Sequence, residues 1–363
     1  MLNTEFQSPT NYLVLRKFFK IVLILIPLAL VGNIVYVVLT TSPEIFRNLE
    51  KIDSRYFVLA AVLTLLPWLG QSAGIIAWSR VFKVNLAPSR ALDVVLASDI
   101  GAAITPTILG GGYVKLAFLV NYGFTAPQAA LVMFLGGVAD TVFFALALPA
   151  AVFWTRTWEN PHIIKIWREI TSHWPVVATI GIILIAILVF LKKIKTKHSP
   201  DRKPAHDSLF STIRSAISKF KTDFIVALKF VRGNGKVVFL ATVFYSGLGW
   251  CGRYGAVSAL VVGLGYHVDP VLFFLLQWVV FTTMTMIPTP GAIGGAEVSF
   301  ALIYDGLIPS SVIPLATAAW RFVTFYMTVG LASAIFAVFR MKKFSNVKKQ
   351  GEIPVTEKTK IPR

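Results

Sequence analysis

Charge is scarce in this chain. Only 14% of its 363 residues are Asp, Glu, Lys or Arg, and the acidic ones are rarer, 17 against 35 basic. So few charges, with 56% apolar residues and a mean hydropathy of +0.71, exclude an ordinary globule that hides its hydrophobic surface in one core. Cysteine is nearly absent. The single Cys251 lies in apolar sequence and excludes a disulfide framework or a thiolate metal cluster within one chain. There is no His-Glu-x-x-His zinc motif, no phosphate loop ending in Gly-Lys-Ser and no nucleophile elbow. His162, His173, His198, His206 and His267 are scattered over expected loops and span ends. No cofactor and no metal is therefore expected.

What the chain does have is long apolar runs, of the roughly 20 residues that cross a bilayer as a helix. The clearest are 21–40, 56–79, the stretch from Asp140 to 155, 174–191, 237–252 and 322–339. The first follows Arg16, Lys17 and Lys20 and has no small-residue cleavage site, so it reads as a true span rather than a removable signal. The net charge of +18 is concentrated. Segment 192–236 holds 12 Lys or Arg against three Asp, and the tail from Arg340 holds eight against two Glu. Basic excess of this kind marks cytoplasmic segments, and it accounts for the charge without a nucleic-acid partner. By contrast 41–55 is balanced, and 264–270 carries only Asp269.

Two apolar stretches are broken. In 91–121 the break is Thr105-Pro106-Thr107-Ile108-Leu109-Gly110-Gly111-Gly112; in 271–305 it is Pro288-Thr289-Pro290-Gly291. Proline and glycine disfavour a continuous helix, so each stretch reads as a hairpin that returns to the side it left. Starting inside, the expected order is cytoplasmic 1–19, first membrane repeat 20–156, outer loop 157–173, second repeat 174–339 and cytoplasmic tail 340–363. About six full spans and two broken or re-entrant hairpins result, an all-α polytopic membrane protein. The hairpins open from opposite sides, which predicts inverted repeats. A shift of 184 residues places Thr105-Pro106 on Thr289-Pro290, Gly110-Gly111 on Gly294-Gly295 and Val114 on Val298. Inverted repeats meeting at broken helices are a recurrent transporter plan. Between the halves, 208–231 is amphipathic, either a helix on anionic cytoplasmic lipid or a connector on the bundle.

Charges inside spans cost about 2.5 to 3.5 kcal/mol near mid-bilayer, so each needs a partner or a purpose. Lys115, Asp140, Arg253, Glu297 and Arg321 are such residues, with Asp99 in the first hairpin. One reading is structural ion pairs, Lys115 with Asp140 and Glu297 with Arg321. The other is a ligand site at the breaks, where unsatisfied amides must meet protein, water or ligand. A helix starting near Gly112 would aim its N–H groups at a phosphate, with Lys115 one turn in. A helix starting near Gly294 puts Glu297 in its first turn, as a cap or as a group for a cation or proton. Tyr113 is the repeat-equivalent position. Trp154 and Trp158, with Trp167 and Trp174, suit an interfacial aromatic belt.

The string Pro288-Thr289-Pro290-Gly291-Ala292-Ile293-Gly294-Gly295-Ala296-Glu297, with Arg321 in the next span, resembles the transmembrane region of lysylphosphatidylglycerol synthases and their stand-alone relatives. So does Thr105-Pro106 with Gly110, Gly111, Lys115, Gly123 and Asp140. The resemblance covers roughly 15 to 340. In that family the membrane region is implicated in moving lipids between leaflets, and a separate soluble domain attaches the amino acid. The resemblance implies the translocating part, with no room for the transferase domain. Departures are Gly112 for an acidic residue, Lys115 for Arg and Gly136-Gly137 for a Glu-Arg pair.

The leading expectation is a lipid translocase of the cell membrane, with both termini cytoplasmic. The hairpins would meet near the midplane and hold a polar headgroup from an anionic phospholipid or lipid-linked carrier. Gly112, Tyr113 and Lys115 would face phosphate, assisted by Arg253 or Arg321; Glu297 and Asp140 would balance charge; Pro290, Gly294 and Gly295 would shape the second break. A small-solute transporter, a membrane-embedded lipid transferase and a non-catalytic partner subunit are the alternatives, and an oligomer is compatible with all.

Overall fold

The computed structural model describes residues 53–105, 109–172, 233, 235–285, 287, 292, 294–336 and 338. The expected spans 20–40 and 174–191, the amphipathic stretch 208–231, almost all of the loop 192–236, both chain ends, Pro106 and the Pro288-Thr289-Pro290 string lie outside them.

Among the described residues the fold is all-α, without a strand. The helices are α1 (Ser54–Leu63), α2 (Leu66–Val81), α3 (Pro88–Ile104), α4 (Leu109–Asn121), α5 (Ala126–Thr155), α6 (Pro161–Ser172), α7 (Lys236–Gly263), α8 (Pro270–Thr285), α9 (Gly295–Tyr304) and α10 (Ile313–Arg321). The last continues through a π-helical turn at Phe322–Tyr326 to Phe336.

Local chemistry explains many of the starts. Asp53 accepts from Arg55 N at 2.9 Å before α1, and Asp269 Oδ1 accepts from Val271 N at 2.8 Å before α8. Thr125 and Gln128 form a reciprocal capping box at α5, with a proline in its first turn.

Among the described residues three helical stretches are long and apolar enough to cross a membrane: Ser54–Val81, Ala126–Thr155 and Ile313–Phe336. The first carries a turn at Thr64-Leu65, just ahead of Pro67, where the sequence suggested one unbroken helix over 56–79. Both expected breaks are present, between α3 and α4 and between α8 and α9. The stretch 157–173, read as a loop, instead contains a 3-10 turn at Thr157–Glu159 and then α6. Ile163, Ile166, Trp167 and Ile170 at helical spacing are the signal for it.

Helix α7, 28 residues and about 42 Å long, packs against α1, α2, α5, α8 and α10. Glycine makes this possible. A Cβ at Gly70 would lie 2.5 Å from Tyr245 O, one at Gly249 3.2 Å from Pro67 Cα, and one at Gly252 2.5 Å from Leu63 O. Partners of rising number on α7 fall in number along α2 and α1, so the two run antiparallel.

Moved by 184 residues, α1–α2 falls on α7, α3 on α8, α4 on α9 and α5 on α10. Repeat-related helices that run antiparallel are what an inverted repeat requires. Each half has its own core. One gathers Trp68, Trp78, Leu96, Leu119 and Leu135 and is joined by Ala332 of the other half. The second gathers Val257, Phe273, Phe300, Tyr304 and Trp320 and is joined by Ala60.

The α7 seam makes a direct prediction. Gly252→Ala forces a methyl against the Leu63 carbonyl and is expected to cost about 1 to 3 kcal/mol. Gly255→Ala meets only Leu63 Cδ1 at 3.9 Å and should stay within about 0.5 kcal/mol of wild type. Thermal unfolding of the detergent-purified protein reads both, and equal shifts would contradict the seam.

Candidate functional site

Helices α2, α4, α5 and α7 line a partly open cavity of about 310 Å³. Its polar lining comes from one stripe of each helix: Gln71 on α2, Lys115 on α4, Asp140 on α5, and Thr242, Ser246 and Arg253 on α7. Gly136 and Gly137 line it too, and a Cβ at either would meet nothing within 4 Å, so much of the space exists because two side chains are missing.

The charges in it are held by polar groups. Lys115 Nζ donates to Gln71 Oε1 at 3.0 Å. Asp140 Oδ1 accepts from Ser246 Oγ and from Trp250 Nε1, the latter at 3.0 Å. Arg253 lies over the rings of Trp250 and Phe281, 5.8 and 6.0 Å from their centroids. Asp99, outside the lining, accepts from Trp68 Nε1 at 2.8 Å. Among the described residues the ion pairs are Arg321–Glu297 and two exposed ones, Arg55–Asp53 and Arg156–Glu159. Lys115 and Asp140 share the cavity but are not in ion-pair contact.

The first break differs from the expected anion nest. Helix α4 starts at Leu109 rather than near Gly112, so Gly112 falls beyond its first three positions. The glycines before it serve packing: a Cβ at Gly111 would lie 2.7 Å from Ser98 O, whereas Gly112 borders Met133. Tyr113 is 73% exposed and outside the cavity.

The second break forms a separate structure. Gly294, at φ +85°, precedes α9, and its N–H donates to Glu297 Oε2 at 2.8 Å. Glu297 Oε1 accepts from Arg321 Nε at 2.9 Å. The Arg321 side chain is 1% exposed and lies 4.6 Å over Phe325. A Cβ at Gly295 would collide with Ile287. Glu297 is thus both cap and ion-pair partner, the two structural readings combined. Among the described residues the two breaks do not share this cavity: Lys115, Asp140 and Arg253 come together, while Gly294, Gly295, Glu297 and Arg321 are not in its lining, and Pro290 is outside the described residues.

Gln71, Ser246 and Trp250 were not singled out by sequence reasoning, and Gly136 and Gly137 entered it only as departures from the family's Glu-Arg pair. Their signal was periodic. Thr242, Ser246, Gly249 and Arg253 recur at helical spacing on α7, as do Pro67, Gln71, Gly74 and Trp78 on α2. The string Gly70-Gln71-Ser72-Ala73-Gly74 does have the Gly-x-Ser-x-Gly spacing of a hydrolase elbow. It lies inside α2 rather than on a strand-to-helix turn, and Ser72 is buried, so the spacing is that of helix packing.

A family model described as "Lysylphosphatidylglycerol synthase TM region" matches residues 21–332. A UPF0104 membrane protein of Archaeoglobus fulgidus is 20% identical over 322 residues, covering 85% of this chain and 94% of its own length. No solved structure matches.

Proposed function

Because the chain belongs to the lysylphosphatidylglycerol synthase TM region family, we propose that this membrane protein is a lipid translocase whose cavity between α2, α4, α5 and α7 holds a polar headgroup while the acyl chains stay in the bilayer. The observation that carries the reading is the placement of Lys115, Asp140 and Arg253 around one cavity among apolar helices. Charges there persist only where they meet protein groups, water or a ligand. Arg253 has aromatic faces but no carboxylate partner among the described residues, and so offers its N–H edge to a phosphate. The inverted repeat supplies two related halves that can rock about the α2–α7 seam. The basic excess of 192–236 and of the tail supports a cell-membrane protein with the termini and that loop cytoplasmic.

The test is transbilayer equilibration of an acyl-labelled phospholipid in vesicles carrying the full chain. It is expected to be faster than in protein-free vesicles and to fall about tenfold in Arg253→Gln, the loss of one charge-assisted contact. Equilibration no faster than without protein sinks the reading; ion-driven solute uptake instead would make the cavity a solute site.

A further inference from the structure

We infer that the cavity recognises a small zwitterionic headgroup, with phosphate between Lys115 and Arg253 and an ammonium of ethanolamine type on the free oxygen of Asp140. The inference rests on the translocase reading for its physiological sense, but the binding site stands by itself.

Asp140 makes both of its hydrogen bonds through Oδ1, one from Ser246 and one from Trp250. A carboxylate has room for about four donors, and Oδ2 accepts none among the described residues. Fixing one oxygen and leaving the other open is the arrangement of a ligand acceptor rather than of a structural strut. Trp250 links the two signs of charge: its indole N–H holds Asp140 and its ring face carries Arg253. The separation between carboxylate and guanidinium is therefore set by one rigid side chain.

The arrangement of signs favours a zwitterion over an anion. Lys115 and Arg253 line the cavity together with one carboxylate, Asp140. A zwitterion brings its phosphate to the two cations and its ammonium to that carboxylate. A purely anionic headgroup would leave Asp140 Oδ2 facing phosphate without a cation, and an unpaired charge in a low-dielectric site is costly.

Size is compatible with this. A cavity of about 310 Å³ has room for phosphoethanolamine, with about eight non-hydrogen atoms, and for accompanying water.

The experiment uses the full chain and two lipids with identical labelled acyl chains, phosphatidylethanolamine and phosphatidylglycerol. Native mass spectrometry of the detergent-purified protein in an equimolar mixture reads binding; vesicle equilibration reads movement. Wild type is expected to favour the ethanolamine lipid about tenfold in both, since an ammonium gives Asp140 a charge-assisted bond that the neutral hydroxyls of a glycerol headgroup do not. Asp140→Asn is expected to abolish the preference while remaining folded, because the amide oxygen still accepts from Ser246 and Trp250. Equal or better binding of phosphatidylglycerol by wild type, or an Asp140→Asn variant that weakens both lipids alike, overturns the inference. Movement without preference overturns this inference and keeps the translocase. Preferential binding without movement keeps the site and overturns translocation.

Discussion

Arg321→Leu is expected to destabilise the protein by about 3 to 5 kcal/mol, a large part of the margin on which a folded chain exists. The cation is 1% exposed and its partner Glu297 16% exposed. Removing it leaves a nearly buried carboxylate whose remaining partner is the Gly294 N–H, and strips a guanidinium from the face of Phe325. The entry of α9 is held through that same carboxylate, so loss of the ion pair also loosens the second break. Adding Glu297→Gln should recover roughly 2 kcal/mol, because Gln still caps Gly294 and no buried charge remains unpaired. Thermal unfolding of single and double variants measures this coupling, and strictly additive losses would contradict it.

Gly136→Leu is expected to stop translocation, lowering the rate at least about tenfold, without lowering the unfolding temperature. A Cβ at this position meets nothing within 4 Å and borders the cavity, so the side chain has open space to enter and the helix gains a good former in place of glycine. The side chain fills space beside Asp140 that the headgroup needs. Stability unchanged or raised together with lost movement separates a blocked route from a broken fold. Undiminished movement would place the route outside this cavity.

Much of the architecture was legible because it depends on local composition. Apolar runs and the two proline-glycine breaks act within a few residues of themselves, and the 184-residue shift matches motifs without reference to packing. The Glu297–Arg321 pair was also accessible, since its members lie in consecutive broken-hairpin and span segments.

The composition of the cavity was not legible. Asp140 is bonded to residues 106 and 110 positions away, and Lys115 to one 44 positions away. Which polar stripe meets which is decided by how closely helices approach, and Gly70, Gly249 and Gly252 set that distance between α2 and α7. Sequence alone determined that this chain belongs in a membrane, that it is helical, and that it repeats itself around two breaks, because transfer of apolar groups and helix propensity are local and additive. Only the tertiary structure decided that one pair of intramembrane charges is a strut and the other three charges share a cavity. Partner choice for a desolvated charge depends on distance in space, which the spacing of residues along a chain does not encode.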